Sequence, residues 1–173
     1  MNSMENMDSL SAFEADTWAR MWACHMQLPY VLDAQLKRDS GVSYFEFQAM
    51  LKIGESPNAS RRMTDLSDAT AMSLSHLSRV ITRLEKKGFV ARIPDPNDGR
   101  VTFAALTPSG QRALASGMNG YFTELRRIFF DNVDESELET VASVLARMNA
   151  ALRGVADPNS ATRGPAVSTS GAA

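Results

Sequence analysis

The sequence of 173 residues predicts a mostly α-helical protein with one small β-hairpin. Over most of the chain, apolar residues recur at spacings of three and four, as they do on the buried face of a helix. Two short apolar runs, "FVARI" and "VTFAAL", are joined by the polar segment "PDPNDGR", which is typical of a hairpin with a long tip. Immediately before this hairpin, residues 73–87 form a helical pattern with one apolar and one polar face.

The composition excludes several classes of protein. Hydrophobic residues make up 44% of the chain and charged residues 22%, as in ordinary soluble domains. No apolar run approaches the roughly 20 residues that span a bilayer, and the N-terminus "MNSMENMDSL" lacks the apolar core of a secretion signal. We therefore expect a cytoplasmic protein. The single cysteine, Cys24, excludes an intrachain disulfide framework and a Cys-rich zinc site.

Charged residues are distributed unevenly along the chain. The formal net charge is −2, yet residues 61–105 contain 8 Lys or Arg and 5 Asp or Glu. For a nucleic-acid contact, a local excess of positive charge matters more than the total. The distribution therefore favours a nucleic-acid contact by the segment that holds the amphipathic helix and the hairpin.

The first long helix is expected to begin at Phe13, after a flexible leader at residues 1–11, and to end at Gly41. Pro29 lacks a backbone donor and crowds the carbonyl of His25, so we expect a kink or a break there. The apolar face of this helix comprises Trp18, Met21, Trp22, His25, Leu28, Leu32 and Leu36.

Capping signals mark the starts of the middle helices. Ser43 and Glu46 have the spacing of a capping box, which predicts a second helix. Thr64 is expected to cap a short third helix, and Ser73 a fourth, which Gly88 ends in a left-handed conformation. The buried stripe of the fourth helix is predicted to comprise Leu74, Leu77, Val80, Ile81 and Leu84.

Two further helices are expected after the hairpin. Thr107 caps the first, which Gly117 and Gly120 weaken. Asp134 and Glu137 cap the second. An apolar stripe on this last helix suits a seam with another helix, within the chain or between chains, and comprises Leu138, Val141, Leu145, Met148 and Leu152.

The order helix, helix, turn, helix, strand, long loop, strand is that of a winged helix-turn-helix, with the fourth helix as recognition helix and the hairpin as wing. Residues 63–110, "MTDLSDATAMSLSHLSRVITRLEKKGFVARIPDPNDGRVTFAALTPSG", resemble the MarR family of transcriptional regulators in the short helix, the recognition helix, the Asp-Gly-Arg wing tip and the Leu-Thr-x-x-Gly exit. The likeness covers about residues 12–153. It departs from the family at Ser67 and Ala71, where alanine and glycine are frequent.

The resemblance implies two lobes within a MarR-type domain. A winged-helix DNA-binding lobe would span about residues 43–110. Helices at about 12–40 and 108–153 would form a dimerisation lobe. The segment at 154–173 is rich in Gly, Pro, Ser and Ala and is expected to be a disordered tail, since it cannot bury enough apolar surface to order itself.

Double-stranded DNA is the expected partner. A major groove about 12 Å wide admits one helix, and an arginine such as Arg79 can bond a guanine with two hydrogen bonds. Arg83 has an alternative, because it could pair with Glu85 or Asp68 at the surface. The predicted contacts are Ser73, Ser75, His76, Ser78, Arg79 and Arg83 from the recognition helix, and Arg61, Arg62, Lys86 and Lys87 with phosphates. The resemblance implies that Arg100 enters the minor groove and that Asp98 orients it.

The resemblance also implies a homodimer that binds a palindromic operator, since two recognition helices related by a two-fold axis read successive turns of DNA. We expect a repressor that a small aromatic or phenolic effector releases. The residues that could line the effector cleft are Trp18, Trp22, His25, Tyr30, Phe45 and Phe47. Aromatic residues at helical spacing also fit an ordinary core, which is the alternative for each of them.

Three other functions are less well supported by the sequence. A redox-responsive regulator would use Cys24, although this residue lies well inside the first helix and a buried, inert thiol is the alternative. A winged-helix module that binds protein would not need Arg79 and Arg100. An enzyme is not expected, because no phosphate-binding loop, metal-ligand cluster or nucleophile–base pair is recognisable, and no cofactor is predicted.

Overall fold

A computed structural model of the chain describes residues 10–95, 97–99 and 101–156. The described part is mostly helical with one small sheet, as predicted, and it divides into two compact units, with the boundary between Leu125 and Arg126. The elements are α1 (Ala12–Ser40), α2 (Tyr44–Gly54), β1 (Ser60–Arg62), α3 (Met63–Thr70), α4 (Leu74–Lys86), β2 (Val90–Pro94), β3 (Thr102–Leu106), α5 (Pro108–Ile128) and α6 (Glu135–Ala156), with short 3-10 turns at Pro57–Ala59 and Phe130–Asn132. No helix among the described residues is long and apolar enough to cross a membrane.

The predicted hairpin is confirmed and belongs to a three-stranded sheet. β2 and β3 pair antiparallel, from Val90 opposite Leu106 to Pro94 opposite Thr102. The sequence did not predict β1, whose three residues pair with the other edge of β3 and place Ser60 opposite Ala105. A strand of three residues is too short to show a period of its own, and its geometry comes from β3.

The core of the first unit lies between α2, α4 and the sheet. Helix α2 contributes Phe47, Met50 and Ile53, which are fully buried. These side chains pack with the inner face of α4 and the last turns of α1, so α2 is the central element on which the others rest. Further fully buried side chains are Leu32, Leu36, Leu66, Leu77, Val80, Ile81 and Leu84.

Helix α1 runs without interruption through Pro29, so of the kink or break expected there, the break does not occur. Proline removes one backbone hydrogen bond, but both ends of this helix are fastened. Ser11 and Glu14 form a capping box at its start, and Gly41 (φ 70°) ends it in a left-handed conformation. The last turns are also held by burial of Leu36, and these interactions maintain the helix despite the missing donor.

Helix α5 is also continuous, and its glycines serve close packing on α1. A Cβ on Gly117 would lie 2.9 Å from Cε2 of Phe47 and 3.0 Å from the Ser40 hydroxyl. A Cβ on Gly120 would overlap the ends of Gln35 and Asp39, which are hydrogen-bonded to each other. The cost of glycine in the helix is therefore offset by an approach that no other residue allows.

Two details of the middle helices differ from expectation. Thr64 does not cap α3, because β1 leads directly into this helix and Arg62 occupies the cap position with extended backbone. Leu74 does not join the buried stripe of α4: it is 52% exposed, since the first turn of α4 projects beyond the core. Ala71 adopts the left-handed conformation (φ 53°) that glycine would take more easily at the turn before α4.

The second unit holds the last turn of α5 and helix α6. Asp134 and Glu137 form the expected start of α6, where the Asp134 N–H donates to the Glu137 carboxylate (3.0 Å). Leu145 and Leu152 of the apolar stripe are 46% and 66% exposed in the single chain. Helix α6 extends to Ala156, so the first three residues of the expected disordered tail are helical, and the rest of that tail lies outside the described residues. Residues 1–9 of the expected leader lie outside them as well.

Candidate nucleic-acid interface

Helix α4 presents a polar face at the surface because its opposite face is held in the core. Leu77 and Ile81 are fully buried on that inner face. At its start, Ser73 accepts a hydrogen bond from the His76 N–H (3.3 Å), which confirms the predicted cap. At its end, Gly88 has φ 70°, as expected for a left-handed stop.

The side chains at the centre of the polar face are exposed. Ser75, Arg79 and Lys86 lie there, about one and two turns apart. Within the described part of the chain, the side chains of Arg79 and Lys86 make no hydrogen bond or ion pair with another residue, and the side chain of Arg61 makes none either. Three cationic groups are thus available to an external anion.

A buried carboxylate joins the C-terminal part of α4 to the start of α2. The side chain of Glu46 is only 3% exposed, and it accepts from Lys87 Nζ (2.7 Å) and Arg83 Nε (3.3 Å). The same carboxylate accepts from the Ser43 N–H (2.8 Å), completing the predicted capping box. Burial alone would raise the pKa of Glu46, but the hydrogen bonds from Lys87 and Ser43 outweigh it and lower the pKa below its ordinary value of 4.5.

This ion cluster changes the roles expected for two cations. Arg83 pairs with Glu46 rather than with Glu85 or Asp68, the alternative surface partners that the sequence offers. Lys87 Nζ also donates to the carbonyl of Gly41 (2.9 Å), so this ammonium has two internal partners. Lys87 is therefore less available to a phosphate than its neighbour Lys86.

Arg92 connects the first strand of the hairpin to α4. Its Nη2 donates to the carbonyl (3.1 Å) and hydroxyl (3.2 Å) of Ser78, and its Nη1 donates to the Glu85 carboxylate (2.5 Å). Both guanidinium nitrogens also lie 3.3 Å from Thr82 Oγ1. One side chain of β2 therefore holds two successive turns of the helix.

The base of the hairpin tip is closed by Asp95. Its N–H donates to the Val101 carbonyl (2.9 Å), and its carboxylate accepts from the Asn97 N–H (2.8 Å) and lies 3.7 Å from Arg62. Arg62 also lies over the ring of Phe103, at 5.5 Å from its centroid. This residue, expected to meet a phosphate, thus rests against the sheet with about half of its side chain exposed.

The two residues expected at the wing tip are only partly described. Asp98 is exposed, and its carbonyl accepts from the Val101 N–H (2.9 Å). Arg100 lies outside the described residues, so its expected relation to Asp98 stays a prediction.

Comparison with known proteins identifies the family to which this architecture belongs. The model of the MarR family matches residues 42–102 of the chain. The chain is 31% identical to Sco3205, a MarR family transcriptional regulator from Streptomyces coelicolor whose structure was solved in complex with DNA; the match covers 83% of this chain and 89% of that one, with a TM-score of 0.80. The chain belongs to the MarR family of transcriptional regulators.

Other members of the MarR family show the same likeness. AbsC, also a MarR family regulator from Streptomyces coelicolor, is 28% identical over 84% of this chain and 97% of its own, with a TM-score of 0.79. The HTH-type transcriptional regulator YxaD from Bacillus subtilis is 27% identical over 69% of this chain and 82% of its own length. The MarR family consists of transcriptional regulators with a winged-helix DNA-binding fold and not of enzymes, in agreement with the prediction for this chain.

The aromatic residues expected around an effector fall into separate groups in this MarR family chain. Trp18, Trp22 and His25 stack along α1, with ring centroids 6.3 and 5.7 Å apart. Phe45 instead meets His76 of α4 edge to face, at 5.0 Å. Tyr30 is 79% exposed.

Phe47 is fully buried and packs on Tyr121 (4.8 Å), so it belongs to the core alternative and does not line a cleft. A cleft of about 360 Å³ lies elsewhere, between α4 and the sheet. None of the six predicted effector residues lines it; the lining residues are Arg62, Met63, Thr64, Ser78, Arg92, Val101 and Thr102.

Cys24 is exposed in the single chain, contrary to the buried thiol that was the alternative to redox sensing.

Two residues of this interface were not recognised from the sequence. Glu46 was assigned to its capping box alone, because its cationic partners lie 37 and 41 positions away. Arg92 carried a usable signal: in a strand, residues two apart share a face, so Arg92 lies on the side of Val90, which is buried toward α4.

Proposed function

We propose that this protein is a homodimeric repressor that binds a palindromic DNA operator and is released by a small aromatic or phenolic effector. The observation that carries the DNA contact is the exposed polar face of α4, on which Arg79 has no internal partner among the described residues. Sco3205, which has the same fold, was solved in complex with DNA.

The proposed roles follow from position and availability. Ser75, Ser78 and Arg79 face base edges in the major groove, and Ser73 and His76 lie at the start of α4, where helix N–H groups favour anions. Arg61, Arg62 and Lys86 bind phosphates, which set affinity and salt dependence. Arg83 and Lys87 contribute mainly through their contact with Glu46. Arg100 and Asp98 act at the minor groove.

The dimer is supported by apolar side chains that a single chain leaves exposed. In α1, Phe13, Trp18 and Trp22 are between 51% and 79% exposed. In α6, Leu145 and Leu152 form an exposed stripe. Large apolar side chains grouped on one helix face mark an interaction surface, and a second copy would bury them. The proposed effector would bind among the aromatic side chains near this interface.

Fluorescence anisotropy with the duplex upstream of the protein's own gene tests the proposal. Wild type, Arg79→Ala and Arg100→Ala are compared with Arg38→Ala, a matched control in which an exposed arginine of α1 is lost. We expect tight, salt-dependent binding that is weaker by about tenfold or more in the first two variants and unchanged in the control. An unbiased duplex library follows if that duplex fails, and absence of binding to the library as well would leave a protein-binding module.

A further inference from the structure

The hydroxyl group of Ser78 is held by an arginine of the hairpin. Arg92 Nη2 lies 3.2 Å from Ser78 Oγ and 3.1 Å from the Ser78 carbonyl. A guanidinium group carries only donors, so the Ser78 oxygen must be the acceptor in this contact. The hydroxyl proton of Ser78 is therefore not used by Arg92.

Several other helical hydroxyls in the protein use their proton inside the chain. Ser40, Thr70 and Thr82 each donate to the carbonyl four residues earlier, at 2.7 to 2.9 Å. Within the described residues, Ser78 has no such bond to Leu74 or to any other acceptor. Its side chain is exposed on α4, one turn before Thr82. The proton of Ser78 is available to an external acceptor.

Arg92 is itself fixed in this position. Its other nitrogen, Nη1, bonds to the Glu85 carboxylate at 2.5 Å, and Thr82 Oγ1 accepts from both nitrogens at 3.3 Å. A cationic donor on the Ser78 oxygen polarises the O–H bond, which makes the proton a better donor and the oxygen a poorer acceptor. A serine hydroxyl without such a neighbour can act as a donor or as an acceptor.

We propose that Arg92 is a positioning residue that makes Ser78 a hydrogen-bond donor to a base edge, and that Ser78 thereby selects an acceptor at one position of the operator. In the major groove, guanine offers the acceptors N7 and O6 and thymine offers O4, whereas cytosine offers only an amino group that donates and adenine places an amino donor beside its acceptor N7. The expected preference is for guanine or thymine, with cytosine the least favoured base. This inference rests on the proposed function, because it requires α4 to lie in the groove.

The test is a selection of duplexes from a randomised library by full-length wild type, Ser78→Ala, Arg92→Met and the double variant, followed by affinities for duplexes that differ at single positions. Wild type should favour guanine or thymine at one position by about fivefold, the equivalent of one hydrogen bond of about 1 kcal/mol. Ser78→Ala and Arg92→Met should both remove that preference, and the double variant should lose no more than either.

Two controls separate positioning from stability. Glu85→Gln removes the ion pair of Arg92 but leaves the donation to Ser78, so it should keep the preference. Arg92→Lys keeps the charge and serves if Arg92→Met does not fold; it should weaken the preference, because one ammonium nitrogen replaces the two guanidinium nitrogens that donate separately to Ser78 and Glu85. An unchanged preference in either Arg92 variant, or in Ser78→Ala, overturns the inference while wild-type DNA binding persists. Absence of wild-type binding to any duplex overturns the proposed function itself.

Discussion

Lys87 Nζ lies 2.7 Å from the carboxylate of Glu46, a residue 41 positions earlier in the chain. The contact joins the end of α4 to the first turn of α2, and Arg83 adds a second cation at 3.3 Å. Because the Glu46 side chain is only 3% exposed, its charge depends on these partners and on the Ser43 N–H for stabilisation.

Glu46→Gln is expected to lower the free energy of unfolding by about 1–2 kcal/mol. The variant loses charge-assisted hydrogen bonds at a buried position, while the partial exposure of Arg83 and Lys87 limits the loss. Urea unfolding followed by circular dichroism measures the change. Glu55→Gln, which breaks the exposed pair with Lys52, is the matched control and should cost less than about 0.5 kcal/mol. Equal effects of the two variants would contradict the role given to Glu46.

The contribution of Glu46 should depend on pH. Its pKa is lowered in the folded state, so the folded protein binds fewer protons than the unfolded chain, whose Glu46 has a pKa near 4.5. The stabilisation is therefore complete above pH 4.5 and is lost as the pH falls below that value through the folded-state pKa. In urea titrations at several pH values, the difference between wild type and Glu46→Gln should shrink in this range. A difference that grows on acidification would show that the shift has the opposite sign.

Lys86 and Lys87 should behave differently although they are adjacent. Lys86 has no internal partner among the described residues, so Lys86→Ala should reduce the salt dependence of DNA binding by about one phosphate contact and leave stability unchanged. Lys87→Ala should mainly reduce stability, because the buried carboxylate of Glu46 then has one partner fewer. Anisotropy titrations at several salt concentrations and urea unfolding separate the two effects, and a reversal of this pattern would refute the assignment.

Gly110→Ala should destabilise the start of α5. An added Cβ would overlap the Phe89 carbonyl group, at 2.8 Å from its carbon, and this backbone cannot rotate away as a side chain could. The same carbonyl accepts from the Thr107 N–H (3.0 Å), which ties β3 to the end of α4. We expect a loss of about 1–3 kcal/mol in thermal or urea unfolding. Gly154→Ala, where a Cβ meets nothing within 4 Å, is the control and should be neutral or slightly stabilising.

Leu145→Glu should convert the proposed dimer to a monomer. Leu145 is 46% exposed in the single chain, and a carboxylate there would be buried without a partner in a helix–helix interface. Sedimentation velocity measures the mass, and binding to a palindromic duplex should weaken because only one recognition helix would be delivered at a time. Ile93→Glu introduces the same change at an exposed residue of β2 and should leave the mass unchanged. Equal masses for wild type and both variants would show that Leu145 does not lie in a dimer interface.

Features set by neighbouring residues could be predicted from the sequence. The caps at Ser43, Ser73 and Asp134 and the left-handed ends at Gly41 and Gly88 depend on a few adjacent positions, and the structure confirms them. The hairpin was predictable for the same reason, since its two strands and its turn residues are continuous in the chain.

Features set by distant residues could not be predicted in this way. Strand β1 exists because of its pairing with β3, and Glu46 meets Lys87 only after α2 and α4 have packed. Periodicity placed Leu74 on the buried stripe of α4, but it could not show that the core ends before the first turn. The expected effector cleft grouped Phe47 with aromatic residues of another helix, whereas tertiary packing buries Phe47 against Tyr121.

The bonds from Arg92 to Ser78, Thr82 and Glu85 have a consequence for engineering. They join strand and helix before any partner arrives, so the reading surface is a composite of two elements rather than a property of α4 alone. Transplanting the outward side chains of α4 into a relative that lacks this arginine would transfer the residues. It would not transfer the donor or acceptor character that Arg92 gives them. A graft that conserves recognition must therefore move the residues behind the surface together with those upon it.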